Sequence, residues 1–238
     1  MIYLTGDTHG EMSIDKLSFK RNPFMKDLTE DDKVIILGDF GLFWHVPRTK
    51  GELYWLDWLA DQKYMVFFLD GNHENFNLIN AFEEIEMFGG KVGVAYKNIY
   101  HLKRGEVYNI EGHEILVVGG AASIDKAFRA INKSWWEAED LSLADVKNAE
   151  DNIVKSSLHF DYVLTHTIPE TMKRFFGFYD SYFCSTSEYL NSIYRMISFK
   201  HWYAGHFHLD ETVDDLTILN NKIIKLGDTI PNDEIEVC

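Results

Sequence analysis

Six short apolar runs stand out along the chain, and each closes on a polar or glycine-rich junction. They are MIYLT before GDTHG, KVIIL before GDFG, YMVFFLD before GNHE, EILVV before GGAAS, YVLT before HT, and HWYA before GHFH. Their length and their content of Val, Ile, Phe and Tyr predict buried strands. Helical spacing lies between some of them. Leu53, Leu56 and Ala60 fall at i, i+3 and i+7, while Leu190, Ile193, Tyr194 and Ile197 fall at i, i+3, i+4 and i+7. Strands alternating with helices imply an α/β fold. TILNNKIIK reads as a hairpin turning at Asn220-Asn221. Antiparallel pairs should therefore join the parallel ones, in a mixed sheet or in two packed mixed sheets flanked by helices.

The pattern shows no internal repeat or Pro/Gly/Ser linker, and it predicts one domain over residues 1–238. Lid or cap insertions are expected around 121–160 and 170–200, where the Trp135-Trp136 pair and RFFGFYDSYF (174–183) fall. A packing or subunit-contact role for these aromatics is favoured over a lid that stacks a nucleobase.

Composition narrows the function classes. A hydrophobic content of 46% with 15% aromatics fits a folded, enzyme-sized unit. The 23 basic against 38 acidic residues leave a net charge of −15, which argues against long duplex nucleic acid or anionic lipid as partner. A bound cation would still allow an anionic substrate. The two cysteines, Cys184 and Cys238, lack CxxC spacing, so neither a disulfide framework nor a thiolate zinc site is expected. With no basic leader and no apolar run of ~18 residues, the expectation is a soluble, cytoplasmic protein without membrane attachment.

The informative residues sit at the strand exits. Asp7 and His9 follow the first run, Asp39 the second, and Asn72, His73 and Glu74 the third. His166 follows a later strand, and His206 and His208 follow the last long one. Ligands of open α/β sheets bind beyond the carboxyl ends of strands, so these side chains are expected to converge on one edge. Imidazole, carboxylate and amide oxygen together suit Mn, Fe or Zn. Asp-x-His and His-x-His place alternate side chains on one side of an extended chain. His45, in GLFWHVP, is read as a packed loop histidine, and His101, His113, His159 and His201 as structural. Glu74 is read as a supporting or surface residue. Lys126 and Arg129, in SIDKAFR, are candidates to hold a substrate phosphate, balanced against a solvated helix start.

GDTHG, GDFG, GNHE, TH and GHFH, in that order, resemble the calcineurin-like metallophosphoesterase superfamily over residues 6–208. The resemblance implies a β-sandwich flanked by helices and two divalent ions, Mn first and Fe or Zn as alternatives. Matching positions imply one ion on Asp7, His9, Asp39 and His208 and a second on Asp39, Asn72, His166 and His206, with Asp39 shared. His73 resembles the histidine that protonates the leaving group. Two ions ~3.5–4 Å apart would activate a bridging hydroxide and clamp a phosphoryl oxygen. The expected activity is hydrolysis of a small phosphomonoester or phosphodiester, nucleotides among them. A metal-dependent nuclease, a protein phosphatase and a non-catalytic metal-binding scaffold are the alternatives. GDFGLFW departs from the GDxVDRG of phosphoprotein phosphatases, which lowers that reading, whereas the two histidines of GHFH are similar to the phosphodiesterase and nuclease branches.

Overall fold

A computed structural model of the chain describes residues 1–179 and 183–231. The predicted runs become strands β1 (Ile2–Thr5), β2 (Lys33–Ile36) and β3 (Met65–Phe68) in one sheet. β4 (Glu83–Met87), β5 (Gly90–Tyr96) and β6 (Ile99–Leu102) continue that sheet. β7 (Val107–Ile110), β8 (His113–Val118), β9 (Tyr162–Thr165) and β10 (His201–Ala204) form the second sheet with β11 (Glu211–Val213) and β12 (Leu216–Ile218). β13 (Ile223–Lys225) returns to the first sheet, giving seven strands in the order β13-β1-β2-β3-β6-β5-β4 against six in the order β11-β12-β10-β9-β8-β7. The helices are α1 (Lys50–Ala60), α2 (Phe76–Ile79), α3 (Leu143–Lys155) and α4 (Ser185–Met196).

Alternation along the strands builds the layers. Leu4 lies opposite Ile35 and Ile35 opposite Phe67 in the parallel ladder. These side chains point between the sheets and meet Val117, Leu164 and Tyr203 of the other sheet. Their neighbours Val34, Ile36, Val66 and Phe68 face outward and pack against Leu56 and Leu59 of α1. On the far side Val118, Val163 and Trp202 pack against Ala149 and Ile153 of α3 and Leu190 and Ile193 of α4. The central strands are thus covered on both faces, which explains their unbroken apolar sequence. The α/β expectation of two packed mixed sheets flanked by helices holds.

Three details differ from the sequence reading. Asn220-Asn221 is not a hairpin turn, because β12 pairs with β10 and β11 whereas β13 pairs with β1, so the segment crosses from one sheet to the other. The hairpin is β11–β12, turning at Asp214-Asp215, with Asp214 in the left-handed region at φ 52°. On α1, Leu53 is 40% exposed and Leu59 takes the buried position. Residues 180–182 of the aromatic run, and Cys238, lie outside the described residues. Among the described residues no helix is long and apolar enough to cross a membrane.

Candidate metal centre

β1, β2 and β3 run parallel in one sheet and β9 and β10 run parallel in the other, so their exit loops emerge at one edge. Backbone hydrogen bonds join these loops. The amides of Thr8 and His9 donate to the Asp39 carbonyl at 3.1 and 2.7 Å, and Gly10 donates to Phe40 at 2.8 Å. The His73 amide donates to Asp39 Oδ1 at 2.7 Å, and the His206 amide to Asp7 Oδ1 at 2.9 Å. Gly205 N donates to the His166 carbonyl at 2.9 Å. Each aspartate is therefore oriented by a strand exit remote from it in sequence.

The loops are tight where the side chains converge. His9, Asp39, His206 and His208 all adopt left-handed backbone, with φ of 45°, 48°, 68° and 53°. Residues other than glycine adopt that region at a cost, which the surrounding contacts must hold in place. The glycine in GNHE has a steric reason. A Cβ on Gly71 would lie 2.0 Å from Asp39 Oδ1 and 2.6 Å from His166 Nε2.

Side-chain distances define two adjoining groups. His9 Nε2 stands 3.1 Å from His208 Nε2, and Asp7 Oδ2 stands 3.7 and 3.2 Å from those same nitrogens. His166 Nε2 stands 3.2 Å from Asn72 Oδ1 and 3.4 Å from Asp39 Oδ1. Asp39 Oδ2 is 3.7 Å from His9 Nδ1, so its two oxygens face opposite groups. Ligand atoms of Asp7, His9 and His208, and of Asp7, Asp39 and His166, lie within 4.8 Å of one another. The His206 ring packs edge-on against His166, with centroids 4.9 Å apart.

These residues fit divalent cations on their own chemistry. Asp7 Oδ2 is buried without a well-formed hydrogen bond, the state of a carboxylate oxygen that expects a cation. His166 Nδ1 lies 2.8 Å from the Leu37 carbonyl, which only an N–H on that nitrogen satisfies. Its Nε2 then turns a lone pair towards two oxygen acceptors, an arrangement that requires positive charge between them. Burial alone would lower the His166 pKa, but Asp39 and Asp7 outweigh it and raise the pKa to about 10. Without metal a proton fills the place. Burial would raise both aspartates, yet the neighbouring histidines hold Asp7 and Asp39 below the usual carboxylate range. His206 is pushed down to about 3, by burial first and by His166 second, so it presents a neutral ring.

His73 lies at the mouth, its ring edge-on to His9 at 5.2 Å between centroids. Arg129 covers it, with Nη1 3.2 Å from Nδ1 and Nη2 3.4 Å from Nε2, and is anchored by Asp125 at 2.8 Å from Nε. Burial and the Arg129 charge lower the His73 pKa against the pull of Asp39. Lys126, its companion in the sequence reading, is exposed and lies 5.9 Å over the Trp135 ring. His45 sits on its loop 3.3 Å from Glu52. His101, His159 and His201 bond Asp70, Ser198 and Thr217, and the His113 ring meets Tyr162, all outside the cluster.

Two supporting residues, Lys16 and Ser123, escape the sequence reading, and Glu74 takes the supporting one of its two expected roles. Lys16 is buried and donates to the carbonyls of Gly6 and Asp7 at 2.9 and 2.8 Å, bracing the first loop against the Asn220 carbonyl. Ser123 Oγ accepts from Asn72 Nδ2 at 3.0 Å, which turns the amide oxygen towards His166. Glu74, read only as a supporting or surface side chain, is fully buried and accepts from the amides of Phe40 and Gly41 at 2.7 and 3.3 Å. Nothing in periodicity marks Lys16 or Ser123, because the three carbonyls that Lys16 reaches and the amide that Ser123 accepts from are brought to them only by the fold.

No curated protein matches the chain. The calcineurin-like phosphoesterase family model matches residues 1–210, which include every strand exit described above. The order of motifs, the paired sheets and this match agree, and the chain belongs to the calcineurin-like phosphoesterase family, whose members are metal-dependent phosphoesterases.

Proposed function

We propose that this chain hydrolyses a small phosphate monoester or diester at a centre of two divalent cations, with Mn favoured and Fe or Zn as alternatives. Asp7, His9, Asp39 and His208 would hold one ion, and Asp39, Asn72, His166 and His206 the other. The observation that carries the reading is Asp39, whose two oxygens face the His9 side and the His166 side at 3.7 and 3.4 Å. A carboxylate divided in this way is what a shared ligand requires. When bound, the ions supply Lewis-acid polarisation of the phosphoryl group and water activation at neutral pH.

The chain's own groups do the rest. Breaking the ester P–O bond leaves an alkoxide; His73, which must carry a proton in the substrate complex against the Arg129 charge, would give it that proton, while the oxygen of water joins phosphorus and the water's own proton passes to solvent. Arg129 offers a planar fork of donors beside that histidine, suited to the phosphoryl oxygens. Lys126, on the same turn, is a second cation for the substrate side. Asn72 contributes an oxygen without adding charge, so the centre keeps an excess of positive charge for an anionic substrate. Within a single domain, the segment 121–136 would border this mouth through Ser123 and Arg129, and the setting is taken as cytoplasmic.

The test is hydrolysis of p-nitrophenyl phosphate and of its bis-ester with Mn²⁺ and with chelator. Turnover of at least one ester, abolished by chelator and restored by Mn²⁺, is expected. Inactivity on both under Mn, Fe and Zn would favour a non-catalytic scaffold.

A further inference from the structure

One cavity opens directly on the centre. It has a volume of about 280 Å³, and its walls include His9, His73, Glu11, Trp44, His45 and Glu52. Larger cavities of about 590 and 690 Å³ lie elsewhere and touch none of the proposed ligands. The group that His73 protonates must stand next to His73, so the smaller cavity is where the alcohol side of the ester sits.

The cavity wall is built and held in place. Glu52 caps α1 in a reciprocal box with Thr49, and its carboxylate also accepts from the Trp44 and His45 amides at 2.8 and 3.0 Å. Asn75 Nδ2 donates to the Trp44 carbonyl at 2.8 Å, and the Trp44 ring stands edge-on to the buried Trp136 with centroids 5.5 Å apart. Thr49 Oγ1 donates to Glu11 at 3.3 Å. Among the described residues the cavity carries two carboxylates and a tryptophan, and neither lysine nor arginine lines it. Arg129, across the His73 ring, supplies cationic donors for one phosphoryl group.

A second phosphate in this space, away from the metal centre, would face Glu11 and the buried charge of Glu52 with neither lysine nor arginine in the wall to offset it. A ring with hydroxyl groups finds a tryptophan to pack on and, at the exposed Glu11, an acceptor for its O–H groups, the Glu52 carboxylate being buried and engaged by backbone amides. Base–aromatic stacking needs no particular sequence of contacts. We propose that this cavity receives an uncharged nucleoside. The substrate would then carry a single phosphoryl group on a nucleoside, as a monophosphate or a phosphodiester, cyclic ones included, and would not be a polyphosphate. This inference rests on the phosphoesterase reading above.

The experiment compares kcat/KM of the Mn²⁺-loaded full chain on 5′-AMP, 2′,3′-cyclic AMP, glycerol 2-phosphate, ATP and pyrophosphate, with adenosine binding measured separately by equilibrium dialysis. At least one adenosine monoester or diester should exceed ATP, pyrophosphate and glycerol phosphate tenfold or more. Trp44→Ala should raise KM for that nucleotide at least tenfold more than for glycerol phosphate and weaken adenosine binding, with Trp44→Phe recovering most of both. Glu11→Lys, at an exposed position, should narrow the gap between the nucleotide and ATP. ATP or pyrophosphate as the best substrate would overturn the inference. So would equal losses on nucleotide and glycerol phosphate in Trp44→Ala. Hydrolysis of glycerol phosphate without any preference for a nucleoside sinks this inference alone; hydrolysis of no ester sinks the phosphoesterase reading with it.

Discussion

At the scale of single residues, the chemistry-bearing side chains are legible because each stands at a strand exit, while the ones that orient them are not. Asp7, Asp39 and His166 announce themselves as polar residues after apolar runs. Lys16 and Ser123 are ordinary polar residues in the sequence, and only the fold brings Lys16 under the first loop and Ser123 against Asn72. His73 is the residue whose role is most easily separated from metal binding, since its backbone amide holds Asp39 while its ring faces Arg129. His73→Ala keeps that amide. Turnover is expected to fall by about 10²–10⁴-fold, the usual worth of a proton donor, with metal content unchanged by elemental analysis. Loss of both metals in this variant would contradict the role.

At the scale of elements, strand runs such as KVIIL and YVLT were readable because burial on both faces leaves no polar alternation to confuse them. The β4–β7 region was not, since its strands mix charge with glycine and depend on turns at Phe88-Gly89 and Lys97 that need positive φ. α3 was also missed; only Ala149 and Ile153 of its thirteen residues are fully buried, so its apolar stripe is narrow. TILNNKIIK misled for a different reason: two apolar triplets around Asn-Asn satisfy a hairpin pattern, but tertiary pairing sends them to different sheets. The strand exits themselves invite a test. Gly71→Ala forces a methyl against Asp39 and His166, an overpacking that typically costs about 1–3 kcal/mol. The variant should melt at lower temperature and bind Mn²⁺ at least tenfold more weakly by calorimetry; wild-type values of both would show that the exit loop has room it is not thought to have.

At the scale of the whole molecule, the acidic balance hides a local excess of positive need. The net charge of −15 says nothing of the cage formed around two buried carboxylates, and so composition argues against long duplex nucleic acid without naming a substrate. A second buried network ties β3 to the segment before α3. Asp70 accepts from Arg104 Nε at 2.7 Å and lies 2.9 Å from His101 Nε2, while Arg104 also donates to the carbonyls of Ala138 and Asp140. Burial would raise the Asp70 pKa, but Arg104 and His101 reverse this and hold it below the ordinary value. A depressed carboxylate contributes stability that is present above its unfolded pKa of about 3.9 and is lost as pH falls below it towards the folded value. Asp70→Asn should therefore cost up to about 3–5 kcal/mol near neutral pH, because it leaves the buried Arg104 only the partly exposed Asp145, 3.4 Å from Nη1, as a carboxylate partner. The gap in thermal melting between the variant and wild type should persist down to about pH 4 and shrink below it as Asp70 takes up a proton; a gap that stays constant far into acid would show that the ion pair is not its source.

The central claim, that strand exits from two sheets form one cage for a pair of cations shared by Asp39, is tested most directly by counting metal. Elemental analysis of the Mn²⁺-reconstituted chain, with anomalous scattering from its crystals, should find two ions per chain, one beside His9 and His208 and one beside His166 and Asn72. Asp39→Ala should lose at least one of them. A single ion, or two ions bound equally well without Asp39, would contradict the account.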